Sequence, residues 1–107
     1  MRKFNLKLRS KYNAKRTIID GINFASKKEA SRYEELKVLQ SSGDIVFFLM
    51  QVPFHLEAGI KYVCDFLVFW NNGNVSFEDV KGRITPVYTM KKKQVESKYP
   101  IEITEIV

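Results

Sequence analysis

The most constraining feature of the sequence is a pair of strand-like segments, residues 60–70 and 74–81, separated by Asn71-Asn72-Gly73. Both segments are rich in aromatic and β-branched residues, and the sequence between them is typical of a hairpin turn. A three-residue loop that ends on glycine fits a type I turn followed by a left-handed residue. This turn pairs Trp70 with Asn74, so the numbers of all paired residues add up to 144.

The register brings two carboxylates and a lysine to one side of the hairpin. Asp65 lies opposite Asp79, and Lys81 points to the same side because side chains alternate with period two. Like charges repel at the roughly 4.5–5.5 Å expected between opposite Cβ atoms. We expect this face to be buried, since its other residues are apolar: Val63, Leu67, Phe69, Val75 and Phe77. A bound cation would relieve the repulsion, and hard carboxylate oxygens suit Mg²⁺ or Mn²⁺.

A third carboxylate is predicted on a helix that precedes the hairpin. Ser26 and Glu29 have the spacing of a capping box, which opens a helix over residues 27–41 that ends at Gly43. A helical wheel puts Glu29 on the apolar face. Two roles are open for Glu29, since a capping carboxylate turns toward the helix backbone and a metal ligand turns toward the sheet.

The remaining elements complete a mixed α/β (α+β) domain. Residues 17–25 predict a hairpin around Asp20-Gly21, and residues 45–56 read as extended, with Pro53 at an edge, a bulge or a strand end. Thr85-Pro86 opens a helix that runs to about residue 99, and residues 101–107 form a last strand. The order predicts a small mixed sheet with a hairpin, flanked by two helices.

Charge divides the chain into a basic N-terminal arm, residues 1–16, and a domain, residues 17–107. The net charge is +6, yet the first 19 residues hold seven basic groups and no acid, while residues 20–107 hold 11 basic and 12 acidic groups. Such an arm favours a polyanionic partner through phosphate contacts, the alternative being a solvated tail. The arm residues that we expect to bind DNA are Lys7, Arg9, Lys11, Lys15 and Arg16.

Cysteine and histidine usage excludes several classes of protein. The single Cys64 cannot form an internal disulfide, and the single His55 leaves no Ser-His-Asp arrangement and no zinc site of several His and Cys residues. No apolar run approaches the roughly 18–20 residues that span a bilayer. Because the chain also shows no secretory signal, we expect a cytoplasmic protein without a membrane partner.

Cys64-Asp65 followed by Glu78-Asp79-Val80-Lys81 resembles the motif of the PD-(D/E)XK nuclease superfamily, in which these acids bind metal and the lysine positions the attacking water. The element order resembles its restriction-endonuclease-like core. Over residues 11–107, the chain is similar to small phage-encoded proteins of this superfamily, on the segments KYNAKRTIIDGINFASKKEASRYEELK, YVCDF, FEDVKG and IEITEIV. The resemblance implies a Mg²⁺-dependent endonuclease of phage or prophage genomes, similar to Holliday-junction resolvases, that acts as a homodimer on branched DNA in the bacterial cell.

Several assignments stay open at this point. A one-residue bulge would exchange Asp79 for Glu78, and Asp65 with Lys81 could form a plain ion pair. In the nucleases that the chain resembles, the last helix contributes polar side chains toward the scissile phosphate. This makes Lys91 and Gln94 secondary candidates for binding DNA. We expect Lys92 and Lys93 to point away from the apolar face of that helix. The alternative without a function is that the Lys91 side chain extends over apolar surface and places its ammonium group in solvent.

We therefore expect a metal-dependent DNA endonuclease in which Glu29, Asp65 and Asp79 bind the metal and Lys81 holds the water. The alternatives are a non-catalytic nucleic-acid-binding module on the same fold and a nuclease subunit that needs a partner.

Overall fold

The computed structural model describes residues 17–107, and the elements follow the predicted order. They are β1 (Thr17–Ile19), β2 (Ile22–Phe24), α1 (Lys27–Ser41), β3 (Ile45–His55), a 3₁₀ turn (Glu57–Gly59), β4 (Lys61–Trp70), β5 (Val75–Val80), α2 (Pro86–Lys98) and β6 (Ile103–Ile106). The mixed α+β class is confirmed. The basic arm lies outside the described residues, and so do its expected DNA-binding side chains Lys7, Arg9, Lys11, Lys15 and Arg16.

Local sequence signals set the turns and the helix starts. Asp20 and Gly21 have φ of 53° and 77°, as a two-residue type I′ hairpin turn requires. The Ser26 hydroxyl accepts a hydrogen bond from the Glu29 backbone N–H, and Thr85 caps α2 in the same way. These short-range interactions satisfy backbone donors that have no partner inside a helix, which is why both helices begin where the sequence predicts.

The main sheet has four strands in the order β3-β4-β5-β6, with the last pair parallel and the others antiparallel. The predicted register is confirmed, because Phe69 pairs with Val75 and Phe66 pairs with Glu78. Gly73 adopts a left-handed φ of 93° at the turn. Strand β3 is an edge strand, which is where Pro53 is tolerated. Strands β1 and β2 form a separate two-stranded sheet.

Two clusters of buried side chains hold the helices on the sheet. Helix α1 contributes Tyr33 and Leu36 to the first, where they join Phe66 and Val68 of β4. Helix α2 contributes Tyr88 and Val95 to the second, which also contains Tyr62 and Cys64 of β4. In the described range, 17–107, neither helix is long and apolar enough to cross a membrane.

The expectation that the acidic face of the hairpin is buried throughout is wrong. Val63 and Val75 are 37% and 42% exposed, and Leu67, Phe69 and Phe77 are half-buried. The reason is that the helices pack on the alternate residues of β4. That face of the hairpin therefore carries an apolar, partly exposed surface, and its buried charged residue is Asp79, near the end of β5.

Candidate functional site

Asp65 and Asp79 lie side by side at the point where the β4–β5 ladder ends. In the register of the two strands, Asp65 and Asp79 follow the Phe66–Glu78 pair. At this point the Val80 backbone N–H donates to Asp65 Oδ2, at 2.9 Å, and the side chain takes the place of a backbone acceptor. Burial, together with a hydrogen bond and charge repulsion from Asp65, raises the pKa of Asp79 to about 6. The predicted juxtaposition of the two acids is therefore present.

Asp79 is only 2% exposed and has two polar neighbours of opposite character. The Tyr62 hydroxyl donates to Asp79 Oδ2 at 2.5 Å, and Lys81 Nζ lies 3.6 Å from the same oxygen. Burial, and then this carboxylate, raise the pKa of Tyr62, so its hydroxyl remains a donor at neutral pH. Lys81 thus pairs with Asp79, and the alternative of a plain Asp65–Lys81 ion pair is not what the structure shows.

The Lys81 ammonium is positioned from the other side by helix α2. Nζ lies 4.2 Å from the centre of the Tyr88 ring, which is a cation–π contact. The Tyr88 hydroxyl is in turn hydrogen-bonded to Glu105 of β6 at 3.0 Å. Lys81 remains about a quarter exposed, so the ammonium is held between Asp79 and Tyr88 while still reaching solvent.

Glu29 turns its carboxylate toward the sheet while its backbone N–H is capped by Ser26. The Glu29 Oε2 accepts from the Gln51 amide of β3 at 3.0 Å. Burial raises the pKa of Glu29, and the negative charge of Asp79 raises it further, which shows that the two carboxylates sense each other. The same carboxylate also accepts a backbone hydrogen bond at Ala25, which lowers its pKa, so it contacts both the start of α1 and the sheet, and both roles left open by the sequence remain.

Gln51 belongs to this cluster, although the sequence reasoning missed it. Its Nε2 also lies 3.3 Å from Asp65 Oδ1, so one amide group contacts both carboxylates. The available signal was a glutamine directly after the apolar run 45–50, at a position that the β3–β4 register places opposite Asp65. Tyr62 and Tyr88 were also missed, because tyrosines in core segments give no sign of where their hydroxyls end.

Glu78 has a different function from its neighbour Asp79. Its two oxygens accept from Nε and Nη2 of Arg32 on α1, each at 2.7 Å, in a bidentate pair. This pair raises the pKa of the Arg32 guanidinium. Glu78 is thus committed to holding α1 against β5, and no bulge exchanges it with Asp79.

The secondary candidates on α2 are not brought to the acids. Gln94 is exposed and lines a separate groove with Leu56 and Ile60, and Lys91 is half-buried. The expectation that Lys92 points away is wrong, because its Nζ bonds Glu105 at 3.0 Å. The buried side of α2 is centred on Tyr88 and Val95, whereas Val87 and Met90 are exposed.

The donor set was compared with what a divalent metal ion needs. Glu29, Gln51 and Asp65 line a cleft of about 370 Å³ together with Met50 and residues 22–25. Three carboxylates and an amide oxygen are hard ligands of the kind that Mg²⁺ and Mn²⁺ take. As the side chains stand, however, no group of three acidic, histidine or cysteine residues in the described part of the chain is arranged to hold a metal ion. The chemistry of the donors fits, and the cluster must tighten to bind.

Other reactive side chains do not compete for a catalytic role. Burial raises the pKa of the Cys64 thiol to about 12, so this sulfur is a protonated core group at neutral pH. His55 lies at the exposed end of β3, and its carbonyl accepts from the Tyr99 hydroxyl.

Comparison with known families gives one match. Residues 9–107 match the family described as "Protein of unknown function (DUF1064)", and the chain belongs to it. No curated protein and no solved structure matches the chain at a significant level.

Proposed function

We propose that this member of the DUF1064 family is a metal-dependent DNA endonuclease with Glu29, Asp65 and Asp79 as metal ligands. The observation that carries the proposal is that Asp65 and Asp79 lie side by side with Lys81 next to Asp79, while Glu29 and Asp65 line one open cleft. Placing Asp79 in the interior beside Asp65 destabilises the ionised form of Asp79, and a purely structural site gains nothing from that repulsion. Bound Mg²⁺ or Mn²⁺ would polarise a phosphoryl oxygen and acidify a coordinated water.

Lys81 has the geometry of a group that assists hydrolysis. Its ammonium is fixed by Asp79 and Tyr88 and still reaches solvent, so it can hold a water or neutralise charge on a phosphate. The Tyr62 hydroxyl donates to Oδ2 of Asp79, which holds that carboxylate in place beside Asp65. The basic arm supplies sequence-independent affinity for DNA, on the evidence of its charge alone.

A second candidate is a nucleic-acid-binding module without catalysis, and one observation favours it. In the described residues the acids are not close enough to hold a metal, and a neutral amide stands between two of them. A nuclease subunit that needs a partner protein would show the same loose centre. Preference for four-way or other branched DNA, and assembly into a homodimer, are expectations from the resemblance alone.

The test is cleavage of four-way, flap and linear duplex DNA by the full chain with Mg²⁺ or Mn²⁺. We expect Asp65→Asn, Asp79→Asn and Lys81→Met each to reduce the cleavage rate by roughly 100-fold or more, since each removes a preorganised charge. Asp44→Asn is the matched control, because Asp44 is exposed just before β3 and its carboxylate contacts Ser42.

The outcomes separate the candidates. Cleavage that survives Asp65→Asn and Asp79→Asn would show that the proposed centre is wrong. If the wild-type chain binds DNA but cuts none of the substrates and takes up no Mn²⁺, the binding module is the correct function.

A further inference from the structure

Gln51 has an unusual backbone conformation at the centre of strand β3. Its φ is +53°, although its neighbours Met50 and Val52 pair regularly with Phe66 and Cys64 of β4. Left-handed φ values are strained for side chains other than glycine, and they persist only where the surrounding structure enforces them. An apolar residue with ordinary strand geometry would continue the run without strain, so stability does not explain a glutamine here.

The side chain of Gln51 ends between two carboxylates from different elements. Its single Nε2 lies 3.0 Å from Glu29 Oε2 on α1 and 3.3 Å from Asp65 Oδ1 on β4. An amide nitrogen in this position partly satisfies both negative charges, as a cation would. The distances are nevertheless longer than the roughly 2.0–2.1 Å of a Mg²⁺–oxygen bond, so the amide holds the two acids at a wider separation than a metal requires.

The cleft leaves the Gln51 carboxamide room to turn. Gln51 is exposed and lines the 370 Å³ cleft with Glu29 and Asp65. The two ends of a carboxamide differ in chemistry, since the NH₂ group donates to carboxylates and the oxygen is a hard metal ligand. Rotation of the amide therefore exchanges a group that suits the metal-free cluster for one that suits the metal-bound cluster.

We propose that Gln51 is a positioning residue of the metal centre: its NH₂ group keeps Glu29 and Asp65 facing each other before a divalent cation binds, and its Oε1 then turns to become a further ligand. The inference rests on the proposed function, because it assigns a residue to the same centre. It also accounts for the loose arrangement of the acids, since the amide stands where the cation goes.

Mn²⁺ titration of the full chain by calorimetry, paired with thermal unfolding of the metal-free protein, tests this assignment. Gln51→Ala removes both the donor and the oxygen, and we expect its Mn²⁺ affinity to fall roughly 10-fold, as for other residues that orient metal ligands. Gln51→Glu keeps an oxygen at the same place, so we expect it to bind Mn²⁺ at least as tightly as the wild-type chain. The same substitution adds a fourth carboxylate to the cluster, so its metal-free Tm should drop below that of Gln51→Ala.

Gln40→Ala is the matched control, because Gln40 is an exposed glutamine of α1 with one long hydrogen bond to the Val46 carbonyl. It should leave Mn²⁺ affinity unchanged. If Gln51→Glu binds Mn²⁺ as weakly as Gln51→Ala does, the side-chain oxygen is not a ligand and Gln51 has only a structural role. If Gln51→Ala binds Mn²⁺ with wild-type affinity, Gln51 does not belong to the metal centre.

Asp65→Asn distinguishes failure of this inference from failure of the proposed function. If Asp65→Asn binds Mn²⁺ as well as the wild-type chain, the metal centre itself is wrong. If Asp65→Asn loses Mn²⁺ while both Gln51 variants keep wild-type affinity, the centre stands and only the assignment of Gln51 fails.

Discussion

Asp79 is the residue whose surroundings are least favourable for its own charge. It is almost fully buried beside another carboxylate, and its nearest positive group is 3.6 Å away. Burial, together with Asp65, raises its pKa to about 6, so folding places an ionised Asp79 where it costs free energy at neutral pH. A buried charge of this kind is typical of a site retained for function at the expense of stability.

Asp79→Asn should therefore stabilise the metal-free protein at pH 7.5. The amide keeps the Tyr62 hydrogen bond and removes the repulsion from Asp65, so we expect the free energy of unfolding to rise by roughly 1–2 kcal/mol. Urea unfolding in the presence of a chelator measures it, with Asp44→Asn as the control. A less stable Asp79→Asn variant would show that Lys81 and Tyr62 already compensate the charge.

At the scale of elements, Arg32 and Glu78 join helix α1 to strand β5. The pair is bidentate and buried, with Glu78 only 3% exposed and Arg32 at 17% of its side-chain surface. Breaking such a pair leaves one charge buried without a partner, whereas replacing both residues by apolar ones removes the problem. Because α1 carries Glu29, this pair also fixes the distance from Glu29 to the acids of the hairpin.

Arg32→Ala should destabilise the protein by about 3 kcal/mol, because it strands the Glu78 carboxylate in the interior. The double variant Arg32→Met/Glu78→Leu should recover most of that loss. Urea midpoints of the two variants and of the exposed control Lys28→Ala provide the measurement. Equal stability of Arg32→Ala and the control would mean that water reaches Glu78.

Helix α2 is joined to β6 by a partly exposed cluster with a defined pH dependence. Hydrogen bonds from Lys92 and Tyr88 lower the pKa of Glu105 below its ordinary value of 4.5. A lowered pKa means that the folded state binds protons less readily than the unfolded state, so the contribution is present above pH 4.5 and disappears as pH falls through the folded pKa.

Glu105→Gln should accordingly lower the free energy of unfolding by about 0.5–1 kcal/mol at pH 7 and by much less at pH 3, the small size reflecting solvent screening. Glu102→Gln is the matched control, since Glu102 is exposed directly before β6 begins. An equal effect of Glu105→Gln at both pH values would show that its charge is not what matters.

At the scale of the whole molecule, charge is segregated along the chain. The net charge of +6 arises from seven basic residues before residue 20, while the rest of the chain carries 11 basic and 12 acidic groups. A near-neutral domain with an acidic cluster repels phosphate close to its cleft unless a cation is present. On the proposed function, the arm supplies affinity and the metal centre supplies cleavage.

Neutralising the arm tests that division. The full-length variant with Lys7, Arg9, Lys11, Lys15 and Arg16 replaced by Gln has a formal charge of +1, five below the wild type. We expect weaker duplex DNA binding and a shallower salt dependence, with the slope of log K against log salt reduced by up to about 0.9 per lost phosphate contact. The double variant Lys28→Gln/Lys37→Gln is the control. If it reduces the slope of log K against log salt by as much per removed charge as the arm variant does, the arm has no special role in binding DNA.

Residues close together in the chain determined what the sequence alone could predict. The Asn71-Asn72-Gly73 turn and the period of two fix the β4–β5 register, and hence the meeting of Asp65 and Asp79, because a hairpin leaves a strand no freedom to slip once its turn is set. The capping residues likewise fix the helix starts. The assignments of a metal site and of nuclease activity, which were also made from the sequence, remain predictions.

Only the tertiary structure decided which surfaces are covered and which polar groups become partners. The Arg32–Glu78 pair spans 46 positions, and the reach of Gln51 to Glu29 and Asp65 depends on how α1 docks against the edge of the sheet. No short-range pattern specifies such contacts, since they result from packing two clusters of side chains at once. For the same reason the sequence predicted the juxtaposition of Asp65 and Asp79 correctly and the burial of their face wrongly. Periodicity defines the two faces of a strand, but helix docking decides which of them is covered.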